Sequence, residues 1–183
     1  MRMDSLPVLA SNRLYLIVHP HPRVYQQLFI LCAGLAQRGP VLVVDGNNCF
    51  DAYLVARLLR QHNAEVSASL KRLRVARAFT CYQMVALIGE ACLQQLARAD
   101  SEPVFVLDFL AMFRDEAIPL SERRRLLKAC LPDLRSLSQR TPVLVCTRPA
   151  DEPDLLETLV RAADEVQTFA PVPEPPVLRL FTE

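Results

Sequence analysis

Short unbroken apolar blocks alternate along the chain with longer stretches in which apolar residues recur at helical spacing. The first block, "RLYLIV" (Arg13 to Val18), reads as a strand. "RVYQQLFILCAGLAQRG" after it keeps helical spacing until Gly39-Pro40 stops it, which predicts a helix. "PVLVVD" (Pro40 to Asp45), "PVFVLDFL" (Pro103 to Leu110) and "PVLVCT" lack polar alternation and are rich in β-branched residues, the mark of strands covered on both faces of a parallel sheet. Between them, the run from Asp51 to Asn63, the segment "YQMVALIGEACLQQLARA" and "LSERRRLLKACLPDLRSLSQR" read as helices, the last with a bend or break expected at Pro132. "LRVARAF" reads as a short edge strand and "PDLLETLVRAADEV" as a helix with Pro153 in its first turn. "EVQTFA" and "PPVLRLFTE" read as two final strands joined by the proline-rich "PVPEPP".

Strands that alternate with helices predict a three-layer α/β fold with a mostly parallel central sheet and right-handed crossovers. At 183 residues and 51% apolar composition the chain fits a single domain over 1–183, with an N-terminal extension at 1–12 and a proline-rich loop at 170–176 before the last strand. The 21 basic and 20 acidic side chains nearly cancel, so the total charge of +1 does not mark a nucleic-acid or membrane binder, and any basic footprint is local. No segment approaches the roughly 20 apolar residues of a membrane span, and a cytoplasmic protein is expected. Cys32, Cys49, Cys81, Cys92, Cys130 and Cys146 stand singly inside apolar segments, a pattern of reduced core residues rather than of zinc or disulfide chemistry.

Ligands of parallel sheets bind in the crevice at the carboxyl ends of the strands. That edge is predicted to collect His19, His21, Asp45, Asn47, Asn48, Asp108 and Thr147. The chain has only four glycines, and they are scattered, so no glycine-rich loop can supply the inward N–H groups of a phosphate cradle.

Several segments, taken in order, resemble the ATPase core of the RecA/RadA-type strand-exchange recombinases and their paralogues. "VVDGNNCF" is similar to the family's strand ending in Asp-Thr-Glu-Gly-Thr-Phe, and "VARAF" (Val75 to Phe79) to its Tyr-Ala-Arg-Ala strand. "VFVLDFLAMFR" resembles the Walker-B strand and places Asp108 at the magnesium-ordering aspartate, while "LSERRRLL" (Leu120 to Leu127) resembles the start of the helix after the first DNA-binding loop. The resemblance covers most of Leu14 to Val145. It implies a RecA-like P-loop-type fold with C-terminal antiparallel strands, in which the strand of Asp45 lies beside that of Asp108 and the opening strand lies near the centre.

The departures from the family fall on its chemistry. "HPHPRVYQ" (His19 to Gln26) stands where G-x-x-x-x-G-K-[ST] is expected, without glycine, lysine or hydroxyl, and Pro20 and Pro22 have no N–H to offer a phosphate. The family's catalytic glutamate falls on Asn47, whose amide cannot accept a proton from water at neutral pH. Only "DEAIP" separates Arg114 from Leu120 and only "RPADEP" follows "VLVCT", so both DNA-binding loops are short, and no F-x-x-A oligomerisation motif is present. The expectation is therefore a non-catalytic domain without cofactor, with Asp45, Asn47 and Asp108 as vestiges. Such a domain would act as an accessory in DNA recombination or repair. Its partner would be a protein, another RecA-like chain or its own dimer, and Arg114, Arg123, Arg124 and Arg125 would be placed to touch single-stranded DNA. The alternative is a metal-dependent hydrolase in which the His19/His21 turn joins Asp45 and Asp108 around an ion, as the H-x-H turn of such enzymes does.

Overall fold

The structure, a computed structural model, describes residues 9–19, 23–62, 65–92, 94, 103–149 and 152–169. The elements follow in the order β1 (Leu14–Val18), α1 (Arg23–Ala36), β2 (Val41–Gly46), α2 (Ala52–Gln61), α3 (Val66–Lys71), β3 (Leu73–Ala78) and α4 (Cys81–Ala86), which runs on as a π-helical turn over Leu87–Ala91. There follow β4 (Val104–Leu107), a 3-10 turn (Phe109–Phe113), α5 (Leu120–Arg140), β5 (Val143–Thr147), α6 (Pro153–Ala162) and β6 (Glu165–Thr168). Local chemistry sets the ends. Asp51 caps α2 by accepting the Leu54 N–H at 2.9 Å, Thr80 caps α4 through the Gln83 N–H at 3.2 Å, and Pro153 opens α6 where its missing N–H is not needed.

The six strands form one sheet in the order β3-β2-β4-β5-β1-β6, and every pairing is parallel. β1, β2, β4 and β5 are buried throughout, and their side chains alternate between two cores. Leu14, Leu16, Val44, Val106 and Val145 point to the face covered by α4, α5 and α6, whereas Tyr15, Ile17, Val43, Phe105 and Leu144 point to the face covered by α1 and α2. The result is three layers, helix on sheet on helix.

Several expectations are corrected. α5 runs unbroken through Pro132. The hydrogen bond that Pro132 forgoes would have ended on the carbonyl of Lys128, and both residues lie on the exposed face, where water can satisfy that carbonyl. The strand expected to reach Leu110 stops at Leu107, because Asp108 adopts left-handed backbone angles (φ 46, ψ 47) and the chain tightens into the 3-10 turn. α3, a single short helix, has no periodicity long enough to predict it. β6 is parallel to β1, and the strand expected after it, with the 170–176 loop and most of the 1–12 extension, lies outside the described residues. β2 does lie beside β4, and β1 lies between β5 and β6. Among the described residues no helix is long and apolar enough to cross a membrane.

Candidate functional site

The carboxyl edge is built around the turn that leaves β2. Gly46 lets β2 pass so close to β4 that a Cβ there would lie 2.8 Å from the Leu107 carbonyl oxygen. Asn47 and Asn48 then take positive φ angles of 64 and 52, the left-handed region that asparagine tolerates better than most residues. The turn wraps the chain around the fully buried Asp45, whose Oδ1 accepts the Cys49 N–H at 2.9 Å and the Cys49 thiol at 3.3 Å. Its Oδ2 accepts the Phe50 N–H at 3.2 Å and Arg77 Nε at 3.1 Å. Arg77 is the β3 residue in register with Asp45 across the parallel pair, so the strand alignment itself delivers the counter-charge.

Asp108, at the end of β4, is 1% exposed and, among the described residues, its carboxylate is held by side chains. Its Oδ2 accepts Asn47 Nδ2 at 3.0 Å, Arg148 Nε at 3.0 Å and Arg148 Nη2 at 2.7 Å, while Oδ1 accepts Arg148 Nε at 3.3 Å. Bonding to Asp108 pushes the Arg148 guanidinium pKa above its ordinary value. Arg148 follows Thr147, the last residue of β5, which is itself buried and accepts the Leu110 N–H on Oγ1 at 3.2 Å. The two strand-end carboxylates are thus each neutralised by a guanidinium from a neighbouring strand end.

Below this layer the His19 N–H donates to the Thr147 carbonyl at 3.0 Å, and the buried His19 ring meets the Tyr25 ring edge-on with centroids 4.7 Å apart. Tyr25 stacks in turn on Phe29, and Phe29 packs edge-on against Phe50. Burial, followed by the nearby Cys146 and Cys49, pushes the Tyr25 phenol pKa well up. The thiols are held protonated in the same way: burial pushes Cys146 up to about 12 and raises Cys49 further still, with Asp45 adding to it. None of these groups is prepared to act as an anionic nucleophile at neutral pH.

Of the arginines singled out from the sequence, Arg123, Arg124 and Arg125 stand in the first turns of α5 and Arg114 follows the 3-10 turn before it, and each has a partner. Arg123 is buried, with Nη1 donating to the Phe113 carbonyl at 3.0 Å and to Glu152 at 2.6 Å, so it ties α5 to the segment before α6. Arg124 pairs with Asp154 at 2.5 Å, Arg125 with Glu122 at 2.7 Å, and Arg114 Nη2 donates to the Pro149 carbonyl at 2.7 Å. Arg124 and Arg125 remain about half exposed or more, at 47% and 65%.

His19, Asp45, Asn47, Asp108 and Thr147 therefore do lie along one edge of the sheet, whereas His21 lies outside the described residues. Among the described residues no group of three or more His, Cys, Asp or Glu side chains is arranged to hold a metal ion. Sequence reasoning found the carboxylates and missed Arg77 and Arg148 as their partners. Counting each strand from its first residue, Val41 and Leu73, aligns Arg77 with Asp45 as the fifth of each, and the position of Arg148 directly after a buried strand marks it as an edge residue. Together these features define a three-layer α/β protein whose described strands are all parallel, with two arginine–aspartate pairs at the carboxyl edge. No family model matches the chain.

Proposed function

We propose that the chain is a RecA/RadA-like domain that has kept the α/β core without nucleotide hydrolysis and serves as a non-catalytic accessory in DNA recombination or repair. It works through a protein partner, another RecA-like chain or a second copy of itself, and contacts single-stranded DNA through the exposed arginines of α5. The observation that carries the reading is the pairing of Asp45 with Arg77 and of Asp108 with Arg148. In a hydrolysing site the aspartate at the end of the Walker-B strand must order magnesium, and here its oxygens are already taken by cationic donors from the same chain. The neighbouring position of β2 and β4 supports the resemblance, since it is the arrangement the family implies. Asn47, at the place of the family's catalytic glutamate, spends its amide on Asp108 rather than on a water.

Fluorescence anisotropy of a labelled single-stranded oligonucleotide tests the reading. The account expects binding at low salt that weakens steeply as salt rises, and weaker binding by the Arg124→Ala/Arg125→Ala variant, whose two side chains are exposed enough to remove without loss of the core. Equal binding by the variant would remove the DNA contact from α5. DNA-stimulated release of phosphate from ATP by the purified chain would contradict the reading as a whole.

A further inference from the structure

We propose that Arg148 is the crevice's own cation: its guanidinium occupies the side of Asp108 that a divalent metal ion would otherwise take, and so keeps the strand-end carboxylates from binding metal. The two aspartates differ in a way that isolates this role. Asp45 accepts two backbone N–H groups, from Cys49 and Phe50, and Arg77 only supplements them. Among the described residues Asp108 has no backbone donor to its side chain; apart from the neutral Asn47 amide, the bonds to it there come from Arg148.

Three of those donors crowd one oxygen, Oδ2, and use the lone pairs that a hard cation would need. Arginine keeps its charge at every pH at which the fold survives, so the substitution is permanent rather than conditional. Its place is also fixed from behind, because Thr147 is buried and its Oγ1 is bonded to the Leu110 N–H. The Arg148 side chain is 38% exposed, so truncating it would open a path from solvent to a buried carboxylate left, among the described residues, with the neutral Asn47 amide. A carboxylate in that state either takes up a proton or recruits a cation. The inference deepens the proposed reading, since a crevice that carries its own cation has no use for the metal that nucleotide hydrolysis requires.

Electron paramagnetic resonance of Mn2+ titrated with the full chain at neutral pH tests it. The wild-type chain is expected to leave the free Mn2+ signal unchanged. Arg148→Ala is expected to quench about one equivalent and to melt lower than the parent, regaining part of that loss with Mn2+, and the Asp108→Asn/Arg148→Ala double variant is expected to lose the uptake. Stoichiometric Mn2+ on the wild-type chain, or none on folded Arg148→Ala, would overturn the inference. Should Arg148→Ala not fold, Arg148→Lys and Arg148→Gln decide it: the charged lysine is expected to melt several degrees above the neutral glutamine, and equal melting would overturn the role of the charge. DNA affinity, which tests the proposed function, is read in a separate titration, so the two failures are distinguishable.

Discussion

Asp164 shows how single carboxylates tie this fold together away from the crevice. It sits just ahead of β6, accepts the Leu14 N–H at 2.7 Å where β1 begins, and pairs with Arg135 of α5 at 2.5 Å. Arg135 first, then the Leu14 N–H, holds its carboxyl below the ordinary aspartate value of 3.8. A carboxylate with a lowered folded pKa adds stability that is complete above the ordinary value and is lost as pH falls through the lowered one. Urea unfolding of the wild type and of Arg135→Ala is therefore expected to show a stability gap near neutral pH that closes in acid, below the ordinary value; a gap that stays constant would mean that the pair contributes no charge interaction. Residues of this kind were only half legible in the sequence. Asp45 and Asp108 stood out because a carboxylate at the end of an apolar strand has few places to go. Their partners did not, since Arg77 and Arg148 become neighbours only once the strands are aligned. Arg123 reads in the sequence as one of four arginines placed to touch DNA, and its burial against Phe113 and Glu152 depends on how α5 meets α6.

At the scale of elements, the sequence pattern located β1 to β6 and the longer helices, because an element with a buried face repeats that face with its own period. It failed where local backbone geometry decides. The left-handed turn at Asp108 cut β4 short, and α5 continues through Pro132 on a face where Lys128 and Pro132 are both exposed. Two glycines mark where elements approach one another, and they are not equivalent. At Gly46 an added Cβ would meet the Leu107 and Asp108 carbonyl oxygens at 2.8 and 3.0 Å, both backbone atoms of the neighbouring strand end. At Gly89, in the π-helical turn, it would meet Asp133 Oδ2 at 2.8 Å, the tip of a side chain that can rotate away. Gly46→Ala is accordingly expected to destabilise the chain by about 1–3 kcal/mol and Gly89→Ala by clearly less, both measured by urea unfolding. Equal losses would show that the β2–β4 approach is looser than the distances indicate.

For the whole molecule, the alternation of strands and helices was enough to foresee a parallel sheet with helices on both faces, since each buried strand needs cover on two sides. The order β3-β2-β4-β5-β1-β6 was not contained in that pattern; only the family resemblance implied that β2 and β4 are neighbours. The same order brings the crevice charges together, because it sets Arg77 of β3 against Asp45 of β2 and Arg148 after β5 against Asp108 after β4. A fold that keeps its apolar layers while its edge carboxylates pair internally should be stable without any nucleotide. Calorimetric titration of the purified chain with Mg-ATP tests that claim most directly. The account predicts no saturable heat up to millimolar nucleotide and no rise in melting temperature, because a ligand that binds the folded state far above its Kd must stabilise it. A saturating isotherm with a melting temperature raised by several degrees would contradict it.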